Sequence, residues 1–277
     1  MKPLKIMSVA LSSLSFCSFQ ANAQDPLQLN PESLWYKLGS ETGWYFDLEL
    51  GVEVEPTYAG SKNTETEPSL GARAMYRSNA GHRYFLTFGE LGAIYSISPN
   101  TQFLAFLESE EGRDPSDDPV LNGLDKVDST IEGQFTLARR FGNSTLFATL
   151  QPDLTGDANK GLVWFVGGTY DWLSKGGQWR FASRLDISGA DTEYMATEFG
   201  ITQSESQRTG YRSYAPSSGL KSATLGFSAE YKFSERLSVL STLELENYLG
   251  DAKDSPLISD FGQSNTIEAR TVLRWHF

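Results

Sequence analysis

Between Trp44 and Glu55 the chain alternates without a break: Trp44, Phe46, Leu48, Leu50, Val52 and Val54 fill the even positions, and Asp47, Glu49, Glu53 and Glu55 dominate the odd ones. Successive side chains of a strand point to opposite faces, so this period of two writes one apolar and one acidic face onto a single extended segment. The pattern recurs over residues 222–233 and 178–187, and again at the end of the chain, where Ile267, Ala269, Leu273, Trp275 and Phe277 oppose Glu268, Arg270, Val272, Arg274 and His276. Weaker forms cover residues 68–77, 83–88, 91–97, 102–108, 130–141, 144–154, 162–172 and 237–249, which brings the strand count to twelve. No helix-period segment of useful length competes, so the chain reads as all-β.

Short turns and long polar connections follow one another in strict alternation. The turns fall at residues 78–81, 141–143, 174–177 and 234–235, and the long connections at 57–67, 109–129, 189–221 and 250–263. Tight turns on one side and long loops on the other are the rhythm of an antiparallel up-and-down barrel in the bacterial outer membrane. The region 83–108 must hold an odd number of strands to keep that rhythm; three gives twelve in all, and one interrupted strand gives ten. Within the longest connection, residues 194–201 either add a strand or fold into the lumen.

Residues 1–23 read as a cleaved secretory leader: Lys2 and Lys5, an uncharged run from Ile6 to Phe19, then the small-x-small pattern Ala21-Asn22-Ala23. The single Cys17 lies inside it, so the exported chain has no disulfide, and Phe16 is too large for a lipoprotein processing site. Removing Lys2 and Lys5 leaves 21 basic against 35 acidic side chains, a balance that excludes phosphate-backbone binding to nucleic acid. Residues 24–42 form a polar lead-in on the periplasmic side, with Trp35 and Tyr36 at its interface with the membrane, and residues 43–277 form the barrel. Beyond the leader no stretch approaches the ~20 apolar residues of a membrane helix, whereas barrel strands need only ~9–11 alternating ones. Trp44, Tyr76, Tyr84, Trp172, Trp179, Tyr248 and Trp275 fall near strand ends, as interfacial girdles require. The terminal Trp275-His276-Phe277 has the form of the signal such barrels present to their insertion machinery.

Closing a twelve-stranded sheet places Asp47, Glu49 and Glu53 of the first strand beside Glu268, Arg270 and Arg274 of the last, with Glu244 and Glu246 on the strand before it. This acidic, basic, acidic succession predicts an ion-pair ladder inside the wall, which either pins the register or selects permeating ions. Twelve tilted strands leave a lumen roughly 12 Å across before charged side chains reach into it. Only His82 and His276 are available for Ser-His chemistry, and both are expected at the end away from surface lipid; no G-x-S-x-G elbow, metal spacing or cofactor motif is present. The acidic run at 108–118 either holds a divalent cation bridging lipopolysaccharide phosphates or is a solvated loop; lacking the ordered spacing of a calcium loop, it reads as the second.

Three segments carry a family resemblance. Glu55-Pro56-Thr57-Tyr58-Ala59-Gly60-Ser61, Glu198-Phe199-Gly200-Ile201-Thr202 and Gly250-Asp251-Ala252-Lys253-Asp254-Ser255-Pro256-Leu257-Ile258 resemble, in order, three segments of the MipA/OmpV family of outer-membrane proteins. Read physically they are loop architecture: Pro56 ends a strand, Gly60 permits a tight bend, and Asp251 and Ser255-Pro256 set local turns. The resemblance implies a barrel embedded in outer-membrane lipid and lipopolysaccharide, with no catalytic residues or cofactor. It also implies a scaffold for a murein lytic transglycosylase and a murein synthase. The acidic columns support an alternative, a narrow cation-preferring channel.

Overall fold

Alternation becomes a wall when each strand finds a neighbour in register, because only a closed sheet leaves no unpaired edge facing lipid. The computed structural model describes residues 41–155 and 161–277; the expected leader and residues 24–40 of the lead-in lie outside them. Along the chain run β1 (Gly43–Pro56), β2 (Thr64–Arg77), β3 (Arg83–Leu86), β4 (Glu90–Ser98), β5 (Thr101–Glu110) and β6 (Thr130–Phe141). They are followed by β7 (Ser144–Pro152), β8 (Leu162–Leu173), β9 (Trp179–Ala190), β10 (Gly219–Lys232), β11 (Leu237–Tyr248) and β12 (Asn265–His276). Each pairs antiparallel with the next, and β1 pairs with β12 to close a twelve-stranded barrel. Residues 83–108 hold three strands, so the count is twelve and not ten.

The outward face is a belt of exposed aliphatic and aromatic side chains, among them Leu48, Leu50, Val52, Leu137, Leu146, Val166, Leu185 and Ile267. A belt so continuous is incompatible with water and fits a bilayer. At the short-turn end the girdle is a contact chain. Trp172 stacks on Phe181 at 5.0 Å, Phe181 on Trp179 at 5.6 Å, and Trp179 meets Tyr231 at 4.8 Å; on the β1–β2 pair Trp44 meets Tyr76 at 5.3 Å. Tyr248 is not a girdle residue: it points inward and is buried. Gly142 takes φ +63° in the two-residue turn between β6 and β7, a conformation that L side chains rarely adopt and hairpins of this twist require.

The inward face is not uniformly charged. Ile94, Leu104, Phe147 and Phe165, from β4, β5, β7 and β8, point into the barrel and pack with Met195 and Phe199 of the longest connection. That connection contains no strand. It folds as α1 (Thr192–Phe199) and α2 (Gln203–Thr209), and the last long loop folds as α3 (Gly250–Asp254) and α4 (Pro256–Ser259). Helical periodicity over seven or eight residues is too short to stand out in a sequence dominated by a period of two, and a tertiary contact supplies what propensity does not. Asp191 caps α1 through the Tyr194 N–H at 2.9 Å. Thr202 and Glu205 form a reciprocal capping box on α2.

Candidate functional site: a filled lumen under an interlocked cap

The acidic column of β1 and the basic column of β12 meet as the alternation requires. Arg274 Nε donates to Glu49 Oε1 at 2.6 Å and Arg270 Nη2 to Glu49 Oε2 at 2.5 Å. Arg270 Nε also donates to Ser69 Oγ at 2.8 Å and lies 3.9 Å from Glu53. Asp47 is held between Arg73 of β2 and His276, whose Nδ1 is 2.7 Å away.

In the third column Glu244 stands directly opposite Glu268, and Glu246 opposite Thr266. A second carboxylate beside Arg274 comes from β10: Glu230 lies 3.9 Å from Arg274 and accepts from Arg180 Nη1 at 2.8 Å. Small Ser238 on the intervening strand lets them approach, and its hydroxyl donates to Glu230 at 2.7 Å. Glu246 is paired by Lys221 Nζ at 3.0 Å. Lys221 reaches the lumen because the β9–β10 register shifts between Leu220 and Ser222, a bulge that turns an extra side chain inward. The break of alternation at Leu220-Lys221-Ser222 is the sequence signal for it.

These networks, with the apolar cluster opposite them, narrow the interior. Leu104, Thr136, Ser238 and Arg274 all point inward from mid-strand or below, and each is 0 % exposed, so side chains occupy the lumen at their level. Arg73, Glu53 and Arg270 keep about a fifth of their side-chain surface exposed.

Asp47, His276 and Ser238 stand in the spatial order of an acid-base-nucleophile triad, with Ser238 Oγ 3.3 Å from His276 Nε2. The hydroxyl proton is nevertheless committed to Glu230, and Ser238 has no exposed surface for a substrate to reach. His82 accepts the Ser96 N–H at 3.2 Å beside its turn. Among the described residues no three His, Cys, Asp or Glu side chains converge to hold a metal ion.

Above the lumen the three motif segments meet each other. Pro56 is the last residue of β1, opposite Thr64. Gly60 turns at φ +87° with Ile258 so close that a Cβ would stand 2.5 Å from its Cγ1. Tyr58 OH donates to the Leu257 carbonyl at 3.1 Å, and buried Ser61 lies 2.8 Å from Thr57 Oγ1. Ser255 Oγ donates to the carbonyl of Phe199, the residue before Gly200, at 2.7 Å, and Pro256 opens α4. Asp251, at the start of α3 after Gly250, makes no local turn as expected. Its Oδ2 accepts the Ser217 N–H at 2.7 Å and its carbonyl accepts from Tyr214 OH at 2.8 Å, so it ties one loop to another.

The keystone is Asp118, in the acidic run expected to be solvated. It is buried and accepts from Thr57 Oγ1 at 2.7 Å, Asn63 Nδ2 at 2.9 Å and the Val120 N–H at 2.8 Å. Burial alone would raise its carboxyl, but these donors hold it below the usual range. Glu205 is likewise lowered against its burial by the Asp125 N–H and by Thr202. Burial raises Tyr58 and Tyr194, and nearby carboxylates push both further. Arg113 Nη1 donates to the Glu198 carbonyl at 2.7 Å, closing the C-terminal end of α1 where the helix dipole favours a cation. Tyr58, Leu121, Leu124, Ile201 and Leu257 form the cap's own apolar cluster.

A closed antiparallel barrel with a lipid-facing belt, a narrowed lumen and a loop cap is an integral β-barrel of the outer-membrane class, in which short turns face the periplasm and long loops the exterior. The family described as "MltA-interacting protein MipA" matches residues 48–277. The chain belongs to that family. Among solved structures it is similar to the NanC porin (9 % identity, 82 % of this chain and 98 % of that one, TM-score 0.45). It is also similar to OprB of Pseudomonas putida (7 %, 85 % and 94 %, 0.43) and to the toluene transporter TodX of the same organism (8 %, 86 % and 89 %, 0.39). No curated protein matches the chain.

At the C-terminus Trp275 and Phe277 both face outward, and Phe277 N donates to the Phe46 carbonyl at 2.9 Å, so the last residue helps close the seam with β1.

Proposed function

We propose that this protein is a non-enzymatic outer-membrane docking platform for a murein-remodelling enzyme, a lytic transglycosylase of the kind the family description names. The observation that carries the reading is the narrowed, capped lumen: a barrel built around buried ion pairs and closed by interlocked loops presents surfaces rather than a path. The surface available to a periplasmic partner is basic. Arg77, Arg139, Arg140, Lys175, Lys232 and Arg236 lie at the short-turn end, against Glu41, Asp171 and Glu235. Such a rim steers an acidic partner face toward it, and steering of this kind acts mainly on the association rate. The turns are too short to bury the ~1,000 Å² of a stable interface by themselves, so residues 24–42 supply the remaining contact.

Two measurements test this. In a planar bilayer under a KCl gradient the refolded barrel is expected to be silent; stable cation-selective steps would make transport the primary role and return the acidic columns to a filter. Immobilised barrel is expected to retain a murein lytic transglycosylase, with Lys175→Glu and Arg236→Glu together slowing association about tenfold at low salt. Retention unaffected by the charge reversal removes the basic rim from the interface, and no retention removes the docking role.

A further inference from the structure

The outward face of the wall carries a single charge. Every Asp, Glu and Lys of the twelve strands points into the barrel, and so does every Arg except Arg139 of β6. The register fixes its face. Arg139 stands directly opposite Thr101 of β5 and Leu146 of β7, and Leu146 belongs to the exposed belt, whereas the next residue back, Ala138, is buried on the lumen side. A cation facing lipid is costly at the bilayer centre and tolerated near an interface, where a long stem carries the guanidinium to the headgroups. Arg139 lies two residues before the end of β6 at the short-turn end, about 7 Å along the strand. That places it at the headgroups and glycerol of the periplasmic leaflet.

The chain supplies this charge with no counter-ion. No carboxylate shares its face, and among the described residues the guanidinium makes no ion pair; it lies 5.5 Å over the ring of Phe141, which is exposed at the strand's end. Its polar neighbours are hydroxyls. Arg139, Thr101 and Ser98 of β4 form one outward row on three adjacent strands, each directly opposite the next. The Thr101 hydroxyl has no hydrogen-bond partner among the described residues, and Ser98 Oγ accepts the Asn100 N–H at 3.3 Å while keeping its own proton to donate. A planar fork of N–H donors beside two hydroxyl donors matches the oxygens of a phosphodiester. One outward level further into the bilayer the same strands present Phe103 directly opposite Leu137, an apolar surface for a chain hanging from that phosphate. A zwitterionic headgroup would bring an ammonium to a face without a carboxylate, so the row favours a headgroup that is net anionic.

We propose that Arg139, Thr101 and Ser98 seat the phosphate of one anionic glycerophospholipid from the periplasmic leaflet, with its acyl chains along Phe103 and Leu137. This inference does not rest on the docking role. Lys175 and Arg236, whose reversal tests docking, lie in turns, and the readout below contains no enzyme.

The probe is dioleoylphosphatidylglycerol. The refolded barrel in nonionic detergent is given equal amounts of that lipid and of dioleoylphosphatidylcholine, and the lipid that stays bound is counted by native mass spectrometry. One phosphatidylglycerol per barrel is expected, retained about tenfold over phosphatidylcholine. Arg139→Gln is expected to abolish the preference and Thr101→Val to weaken it; both side chains face lipid, so the gel mobility of the folded band should not change. Arg139→Lys keeps the charge without the fork and should keep the preference at lower retention. Excess inorganic phosphate is expected not to displace the lipid. Equal retention of the two lipids, a preference that survives Arg139→Gln, or displacement by inorganic phosphate would each overturn the seat. An equal loss in Lys175→Glu would overturn it too, because the preference would then belong to the basic rim as a whole.

Discussion

Replacing Arg274 by Met is expected to destabilise the folded barrel by about 3 kcal/mol, read as a shift in the urea midpoint of its heat-modifiable band. The guanidinium has no exposed surface and lies between Glu49 of β1 and Glu230 of β10. Removing one partner of a buried ion pair costs roughly 3–5 kcal/mol because a desolvated charge is left behind. Here the low end applies, since Arg270 still holds Glu49 and Arg180 still holds Glu230. The matched control is Glu235→Gln, exposed in the turn before β11, which is expected to change stability by less than about 0.5 kcal/mol. Equal losses in both variants would mean that the loss does not come from the buried pairing of Arg274.

That contrast marks where the sequence was legible. The strand count, the closure of β1 on β12 and the Glu49–Arg270–Arg274 cluster follow from a period of two, because alternation fixes both which face a residue occupies and which columns become neighbours. Partners one strand further away were not legible. Glu230 reaches Arg274 only because Ser238 is small, and Lys221 enters the lumen only through a bulge; both depend on three-dimensional approach rather than periodicity. Ile94, Leu104, Phe147 and Phe165 break the expectation of a charged lumen for a related reason. They face in because α1 brings Met195 and Phe199 down to meet them, and that pairing spans segments whose own patterns are weak.

The motif residues illustrate the opposite limit. Pro56, Gly60 and Ser255-Pro256 were readable as turn formers, and that part of their role is local. What they join is not. Tyr58 to Leu257, Ser255 to Phe199 and Asp251 to Ser217 are contacts between segments tens to hundreds of positions apart, so the three stretches that carry the family resemblance are the three sides of one joint.

The joint makes a strong prediction for acid. Asp118 is held below the ordinary carboxylate value by donors from two loops, so its contribution is fully present above about pH 4 and is lost as pH falls through its lowered value. Glu205 has the same sign. Tyr58 and Tyr194 have the opposite one: raised above their ordinary value near 10, they support the cap until pH rises through their shifted values. The cap is thus held across the neutral range and released first at the acid end, while the belt and the hydrogen-bonded wall, which do not depend on Asp118, stay folded. Asp118→Ala should reproduce the acid state at pH 8, since it strands Thr57, Asn63 and the Val120 N–H together, a loss of about 3 kcal/mol on the scale of charge-assisted hydrogen bonds. Trypsin is the readout. Arg208 and Arg212 lie on the exposed side of the α2 loop, and in the variant they are expected to be cut at least tenfold faster than in wild type, with the gel mobility of the folded barrel unchanged. Asp118→Asn, which keeps one acceptor oxygen, should fall between the two. Wild-type cleavage rates in Asp118→Ala would mean that the apolar cluster around Leu121 and Leu257 holds the cap unaided, and loss of the folded band would mean that cap and barrel unfold as one unit.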